Sequence, residues 1–323
     1  MKVLITGGIG YIGAELARLL VNRGEEVTLF DIAVNEYRIE DIKNKVKIIR
    51  GDLGNCSEVL NAVKDNGIGE IYHLGSMLTS MSEVDPWASF QSNVVGTYNV
   101  LEAARLFGVK KMLFTSTLGT YGLDFPPVIT DTTIQRPVTM YGCGKLYGES
   151  LGRFYKNKFG LDFRSIRFAH MIGPNVRTPG HWAPPMIEDA ILGRPHKCVH
   201  GTANSTISMI YVRDAARAAE MAAKAPVENI KMVNYNVTGV PQVVSANQME
   251  KILIKRYPRT KVSYQAPASA SEAVSGTHSS MKEFNDDCAR KEWNWKPDYP
   301  TPEAIIEIFQ KDMEAYPRRY GLA

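Results

Sequence analysis

Gly7, Gly10 and Gly13 stand three residues apart, directly behind the apolar run Val3-Leu4-Ile5 and at the mouth of an amphipathic stretch from Ile12 to Val21. Strand, glycine turn and helix in that order let the backbone approach a pyrophosphate and aim helix N-terminal amides at it. The spacing differs from the commoner G-x-G-x-x-G, and a glycine triplet alone also fits an ordinary strand-to-helix turn. A second apolar strand ends in Phe30-Asp31, where a carboxylate can accept hydrogen bonds from an adenine ribose and repel a 2′-phosphate. Together these features predict a dinucleotide site with Gly7, Gly10, Tyr11, Ile12 and Asp31 at the cofactor, and NAD preferred over NADP. A third strand ends in Gly51-Asp52-Leu53, where Asp52 can meet the adenine amino group and Leu53 can pack on the ring. Taken alone, Asp52 reads equally as a turn residue.

Apolar, β-branched runs alternate with helical patterns from the first residue, the rhythm of consecutive βαβ units. Further strands are expected at 46–49, 71–74, 111–114 and 163–166, with helices at 59–63 and 94–106. This predicts an α/β fold with a Rossmann-type, doubly wound parallel sheet over residues 1–172. Beyond about residue 170, Gly173-Pro174, Pro179-Gly180 and Pro184-Pro185 break the rhythm, so residues 173–323 are expected to form a smaller C-terminal α+β lobe for substrate. Within it, the segment from about 207 to 238 repeats the strand–helix–strand pattern and is expected to return to the large sheet. Ser245 is placed to cap one later helix, and Pro302 to open the last.

Tyr141 and Lys145 are four residues apart, on one face of a helix that runs on through Leu151. A fixed cation beside a phenol favours the phenolate, which is what a general base for an alcohol needs. Tyr-x-x-x-Lys is common on helix surfaces, but here it follows a dinucleotide loop and the strand end Phe114-Thr115-Ser116-Thr117. Ligands of open α/β sheets bind at such carboxyl edges, so Thr117 is expected to hydrogen-bond the reacting oxygen beside Tyr141.

Lys and Arg number 38 against 34 for Asp and Glu, an excess with no clustered basic stripe, so nucleic acid is not an expected partner. No apolar stretch reaches membrane-span length, and the N-terminus lacks a signal-peptide core, so no membrane partner is expected. The four cysteines lie far apart with no C-x-x-C pair, which suits a reducing cytoplasm. His196, Cys198 and His200 share a face if extended, but an edge strand is expected there and no metal site is assigned.

The ordered set Thr6 to Gly13, Asp31, Gly51-Asp52-Leu53, Tyr72-His73-Leu74-Gly75, Asn93-Val94-Val95-Gly96-Thr97, Ser116-Thr117 and Tyr141-x-x-x-Lys145 resembles the extended short-chain dehydrogenase/reductase family, which includes sugar-nucleotide epimerases and dehydratases. Residues 136–142, 159–167, 263–264 and 293–297 are most similar to its short-chain-type L-threonine 3-dehydrogenase branch. The resemblance implies a catalytic set of Thr117, Tyr141 and Lys145 and a cofactor site completed by Leu74, Gly75, Ser76, Asn93, Thr115, Tyr141, Lys145 and His170. It implies substrate contacts at Thr79, Ser80, Thr117, His181 and Trp182, and a homodimer through the helices that carry Val94 and Lys145.

Two departures shape the expected reaction. The Gly-Gly-Thr-Thr substrate loop of that branch is replaced by Gly180-His181-Trp182-Ala183. The epimerases' Asn is replaced by His170, and their diphosphate arginine is missing near Ile207, ahead of Tyr211-Val212-Arg213-Asp214. Each lost anchor removes roughly 1.5–3 kcal/mol of charge-assisted bonding to a nucleotide. The expected function is therefore NAD-dependent oxidation of a secondary alcohol in a small, non-nucleotide hydroxy amino acid, hydroxy acid or polyol. The alternatives are a sugar-nucleotide epimerase or dehydratase and a non-catalytic NAD-binding regulator.

Overall fold

The computed structural model describes residues 1–33, 36–178, 181–199, 201–265 and 280–322. The first half of the chain runs β1 (Lys2–Thr6), α1 (Tyr11–Asn22), β2 (Glu26–Asp31), β3 (Val46–Arg50), α2 (Cys56–Lys64), β4 (Glu70–His73), α3 (Thr79–Val84), α4 (Pro86–Ser89), α5 (Gly96–Leu106), β5 (Lys111–Thr117), β6 (Val128–Ile129) and α6 (Met140–Phe159). The second half runs β7 (Asp162–Phe168), β8 (His170–Ile172), α7 (Ala183–Ile191), β9 (His196–Cys198), β10 (Thr206–Tyr211), α8 (Val212–Lys224), β11 (Asn234–Val237), β12 (Val240–Ser245), α9 (Ala246–Arg256), β13 (Val262–Tyr264), β14 (Glu283–Phe284), α10 (Asp287–Trp293) and α11 (Pro302–Ala315).

Seven strands form one sheet in the order β11-β7-β5-β4-β1-β2-β3, and every pair in it is parallel. The order doubles back at β1, as in doubly wound folds, which place ligands at the carboxyl ends of the strands there. α1 and α8 pack on one face; six buried alanines, Ala215, Ala216, Ala218, Ala219, Ala222 and Ala223, let α8 lie close. On the other face α2 and α5 bury Val59, Val63, Val100 and Leu101 against Leu4, Ile71 and Met112 of the sheet.

Ahead of α5, residues Phe90–Val95 form a π-helical turn where a plain α-helix was expected from Val94. Asn93 lies in this turn: its side chain binds both the N–H and the carbonyl of Met77, while Thr97 donates to the Asn93 carbonyl. Ser245 caps α9 with a reciprocal bond from Gln248, and Pro302 opens α11 behind the cap Thr301.

The segment expected to return to the large sheet divides in two. β11 pairs with β7 and fills that edge, and α8 covers the sheet. β10, which contains Met209-Ile210-Tyr211, instead joins a five-stranded sheet of order β6-β14-β12-β10-β8. β11 takes the place beside β7, and β10 pairs instead with β8, which leaves β7 after Ala169, and with β12. The smaller sheet packs on α7, α9 and α11 around Met186, Ile187, Met249 and Phe309. Among the described residues no helix is long and apolar enough to cross a membrane.

Candidate active site

The glycine loop is built by close backbone approach. Gly7 has φ +66°, and a Cβ on it would lie 2.7 Å from the Gly75 nitrogen; one on Gly13 would lie 2.2 Å from the Gly7 oxygen. No larger residue fits either place. Thr6 ties in the strand end opposite, accepting from Leu74 N through its carbonyl at 3.1 Å and from Gly75 N through its hydroxyl at 3.1 Å. Gly10 stands at the N-cap of α1 with no side-chain cap, so the first amides of the helix remain available to a ligand anion. Such a cradle fits the pyrophosphate of a dinucleotide. Asp31 closes it, accepting from Ile9 N and Ala33 N at 3.0 Å each. Asp31→Ala is expected to narrow the preference for NAD over NADP, read as the ratio of kcat/KM values; equal use of both cofactors by the native chain contradicts the assignment.

The neighbours of the cradle are mixed in role. The Tyr11 hydroxyl donates to the Asn175 carbonyl and its ring lies 4.1 Å beneath the Arg38 guanidinium, so this side chain bridges to the turn after β8. Ile12 packs against both cores. Asp52 is exposed and accepts from Gly54 N at 2.9 Å, the turn role open to it from sequence. Leu53 is buried between Gly75 and Gly96, whose added Cβ atoms would come within 2.8 and 2.7 Å of it.

The chemistry-bearing residues meet at the end of β5. Thr139 caps α6 by accepting from Gly142 N, so Tyr141 lies in the first turn and Lys145 one turn on. Gly144 lets α6 approach Asn93, to which an added Cβ would come within 3.1 Å. The Lys145 ammonium donates to the Thr115 carbonyl at 2.7 Å and lies 5.6 Å from the Tyr141 ring centre. Burial pushes Lys145 down to about 7, opposed by Glu149. The Tyr141 phenol is pushed up to about 12 by burial, with the hydroxyls of Ser76 and Thr117 favouring its ionised form. The expected lowering by Lys145 does not appear in the protein alone: burial, which disfavours the phenolate, sets the direction, and the groups that oppose it are Ser76 and Thr117.

Sequence reasoning gave Ser76 to the cofactor; the structure also sets it beside the Tyr141 hydroxyl. Two further groups, His73 and Glu149, had no role assigned from the sequence. His73 is fully buried between Thr6 Oγ1, at 2.6 Å, and Thr97 Oγ1, at 3.0 Å, and burial pushes it down to about 3. Glu149 is buried against Arg167. Its position four residues past Lys145 repeats the Tyr141 to Lys145 interval, a spacing that marks it in the sequence.

On the substrate side, Thr79 and Ser80 are half-buried in the first turn of α3, which packs on α6 and is tied to it by Glu83 accepting from Met140 N at 2.8 Å. His170 lies two residues past Phe168, the partner of Thr117 in the sheet, and its ring centre is 5.3 Å from that of His181. His181 is buried, and its Nε2 has no partner among the described residues. Trp182, which the resemblance gives as a substrate contact, is 2% exposed in the hydrophobic cluster beneath the smaller sheet. An indole so placed is a packing residue of that cluster. The edge-strand stretch is β9, paired with β13, where His196 holds Asp189 at 2.9 Å; His200 lies outside the described residues.

L-threonine 3-dehydrogenase from pig (Sus scrofa) is 29% identical over 313 residues, covering 95% of this chain and 81% of that protein. UDP-glucose 4-epimerase from Lacticaseibacillus casei is 26% identical over 333 residues, covering 99% of both. The crystal structure of L-threonine dehydrogenase from Phytophthora infestans superimposes with a TM-score of 0.86 at 27% identity, over 98% of this chain and 99% of that one. Residues 3–238 match the family model that takes in the cradle, the strand end and the helix of Tyr141 and Lys145, so the chain belongs to the NAD dependent epimerase/dehydratase family and its cofactor is NAD.

Proposed function

We propose that this chain oxidises the secondary alcohol of a small, non-nucleotide substrate. The observation that carries the reading is the meeting of Tyr141, Lys145, Thr117 and Ser76 at the carboxyl end of β5. Bound NAD supplies the ring that accepts hydride. Tyr141 takes the hydroxyl proton, Thr117 and Ser76 hold the oxygen beside it, and Lys145 holds the ribose and favours the phenolate.

The substrate class follows from charge. Burial pushes His181 down to about 4 and keeps it neutral, so it offers a substrate a hydrogen bond and adds no charge toward a diphosphate, whose usual arginine is also missing near Ile207. The unpartnered Nε2 of His181 therefore suits a hydrogen-bonding oxygen of a small hydroxy acid, hydroxy amino acid or polyol. A panel of such alcohols together with UDP-sugars, followed by NADH absorbance and product analysis, tests the reading. A small alcohol is expected to give stoichiometric NADH; interconversion of UDP-sugars without net NADH would overturn it.

The assembly we propose is a homodimer. It is supported by exposed Tyr98 and Leu106 on α5 and exposed Tyr147 and Phe154 on the adjoining α6, a row of large apolar groups. Phe154→Glu is expected to convert a dimer to a monomer by light scattering, and a monomeric native protein would refute the assignment. The exposed thiols of Cys56 and Cys143 fit a reducing, cytoplasmic location.

A further inference from the structure

α6 carries three groups at four-residue intervals, Tyr141, Lys145 and Glu149, and the third has no part in the reaction described above. Glu149 is 1% exposed and Lys145 2%, so a carboxylate lies one helical turn beyond the ammonium, out of water. Arg167 of β7 grips the carboxylate at both oxygens, Nε to Oε1 at 2.9 Å and Nη2 to Oε2 at 2.6 Å. Gln135 and Asn234 donate to Oε2 at 3.2 and 3.1 Å. The remaining bond comes from the Ser116 hydroxyl on Oε1.

Ser116 connects this cluster to the chemistry. Its neighbour Thr115 provides the carbonyl that holds Lys145, and its neighbour Thr117 faces Tyr141. Clamping Ser116 to Glu149 therefore fixes the strand end relative to the helix at the two contacts that catalysis uses. We propose that Glu149 is a positioning residue, which locks Thr115 and Thr117 onto α6 through Ser116 and holds Lys145 as an ammonium through its charge. The proposal rests on the reading that Lys145 binds NAD and assists Tyr141.

The charges around Lys145 give the second half of the proposal its sign. From β4 it faces His73, which burial keeps neutral; from its own helix it faces Tyr141 and Glu149. Asn93, from the π-helical turn, is uncharged. Glu102 on α5 is bound to Arg105 and Tyr155, and Glu83 on α3 to Met140 N. On β7, Arg167 lies behind Glu149 and is also bound by Tyr121 and the Asp131 carbonyl. Glu149 is thus the anion that offsets the burial of Lys145. Without it, two buried cations, Lys145 and Arg167, share one region, and the lysine must give up its proton more readily.

The test is NAD affinity of the whole protein, measured by calorimetry from about pH 5.5 to about pH 9, a window around the lysine's lowered value. In the native protein affinity is expected to fall as pH rises through about 7, as Lys145 loses its charge. In Glu149→Gln that fall should shift roughly one pH unit to the acid side, a tenfold change at a given pH near neutrality. Ser116→Ala, which removes the clamp and no charge, should lower kcat while leaving the midpoint in place. Glu149→Asp should keep the midpoint and recover part of the binding lost in Glu149→Gln. If Glu149→Gln does not fold, Glu149→Gln with Arg167→Met removes the guanidinium left unpaired and is expected to show a smaller shift in the same direction, because Lys145 still loses its nearest anion. An unchanged midpoint in a folded Glu149→Gln or double variant would overturn the proposal and leave the reading of Lys145 intact. A native protein with no such fall overturns both.

Discussion

Tyr141→Phe is expected to lower turnover by roughly 10²–10⁴-fold while NAD affinity stays near native, because it removes the proton acceptor and keeps the ring. The native pH profile should show the same group. With the phenol held up at about 12 by burial, kcat/KM for alcohol oxidation should climb with pH on its acid limb as more phenolate forms, and the phenylalanine variant should lose that slope. Neighbouring substitutions should fail differently. Lys145→Met removes the ammonium bound to Thr115 and should damage turnover and NAD binding together. Thr117→Ala loses the hydroxyl beside the phenol and also the bond accepted from Gly119 N at 3.1 Å, whereas Thr117→Ser keeps both. Near-native turnover by Tyr141→Phe on the true substrate would refute the mechanism.

Gly13→Val should nearly abolish NAD binding in a chain that still folds its smaller lobe. A Cβ at this position would sit 2.2 Å from the Gly7 oxygen and 2.8 Å from the Gly8 Cα, both backbone atoms that cannot swing aside. Relief requires α1 to withdraw from the loop, which takes its uncapped amides off the pyrophosphate. Each charge-assisted bond lost costs roughly 1.5–3 kcal/mol, or roughly 10- to 150-fold in affinity. Gly24→Ala is the matched control. Gly24 has φ +79° with nothing within 4 Å of an added Cβ, so that change should cost about 1–2 kcal/mol of stability by backbone strain and leave NAD affinity unaltered. Calorimetric titration with NAD and a thermal melt separate the two; native-like binding by Gly13→Val would show that the loop does not form the cradle.

The features legible in the sequence are those that depend on a few neighbouring residues. Gly7, Gly10 and Gly13 announce a close backbone turn because only glycine admits it, and the 66° φ at Gly7 and the Gly7–Gly13 contact bear that out. Asp31 at the end of a strand, and Tyr141 and Lys145 one turn apart on a helix, follow from strand and helix periodicity. Contacts between distant segments were not legible. Whether β10 joins the large or the small sheet depends on its partners β8 and β12, which come from other parts of the chain and which no local pattern records. Trp182 reads as a loop residue until the fold buries it beneath the smaller sheet. Ser76 reaches Tyr141, and Glu149 reaches Arg167 and Ser116, only because β4, β5 and β7 lie side by side and α6 packs across them. The sequence determined the kinds of groups and their local geometry. Which groups share a dry site, and so shift one another's proton affinity, was decided by the tertiary structure, because burial and Coulombic interaction depend on distance in space and not on separation along the chain.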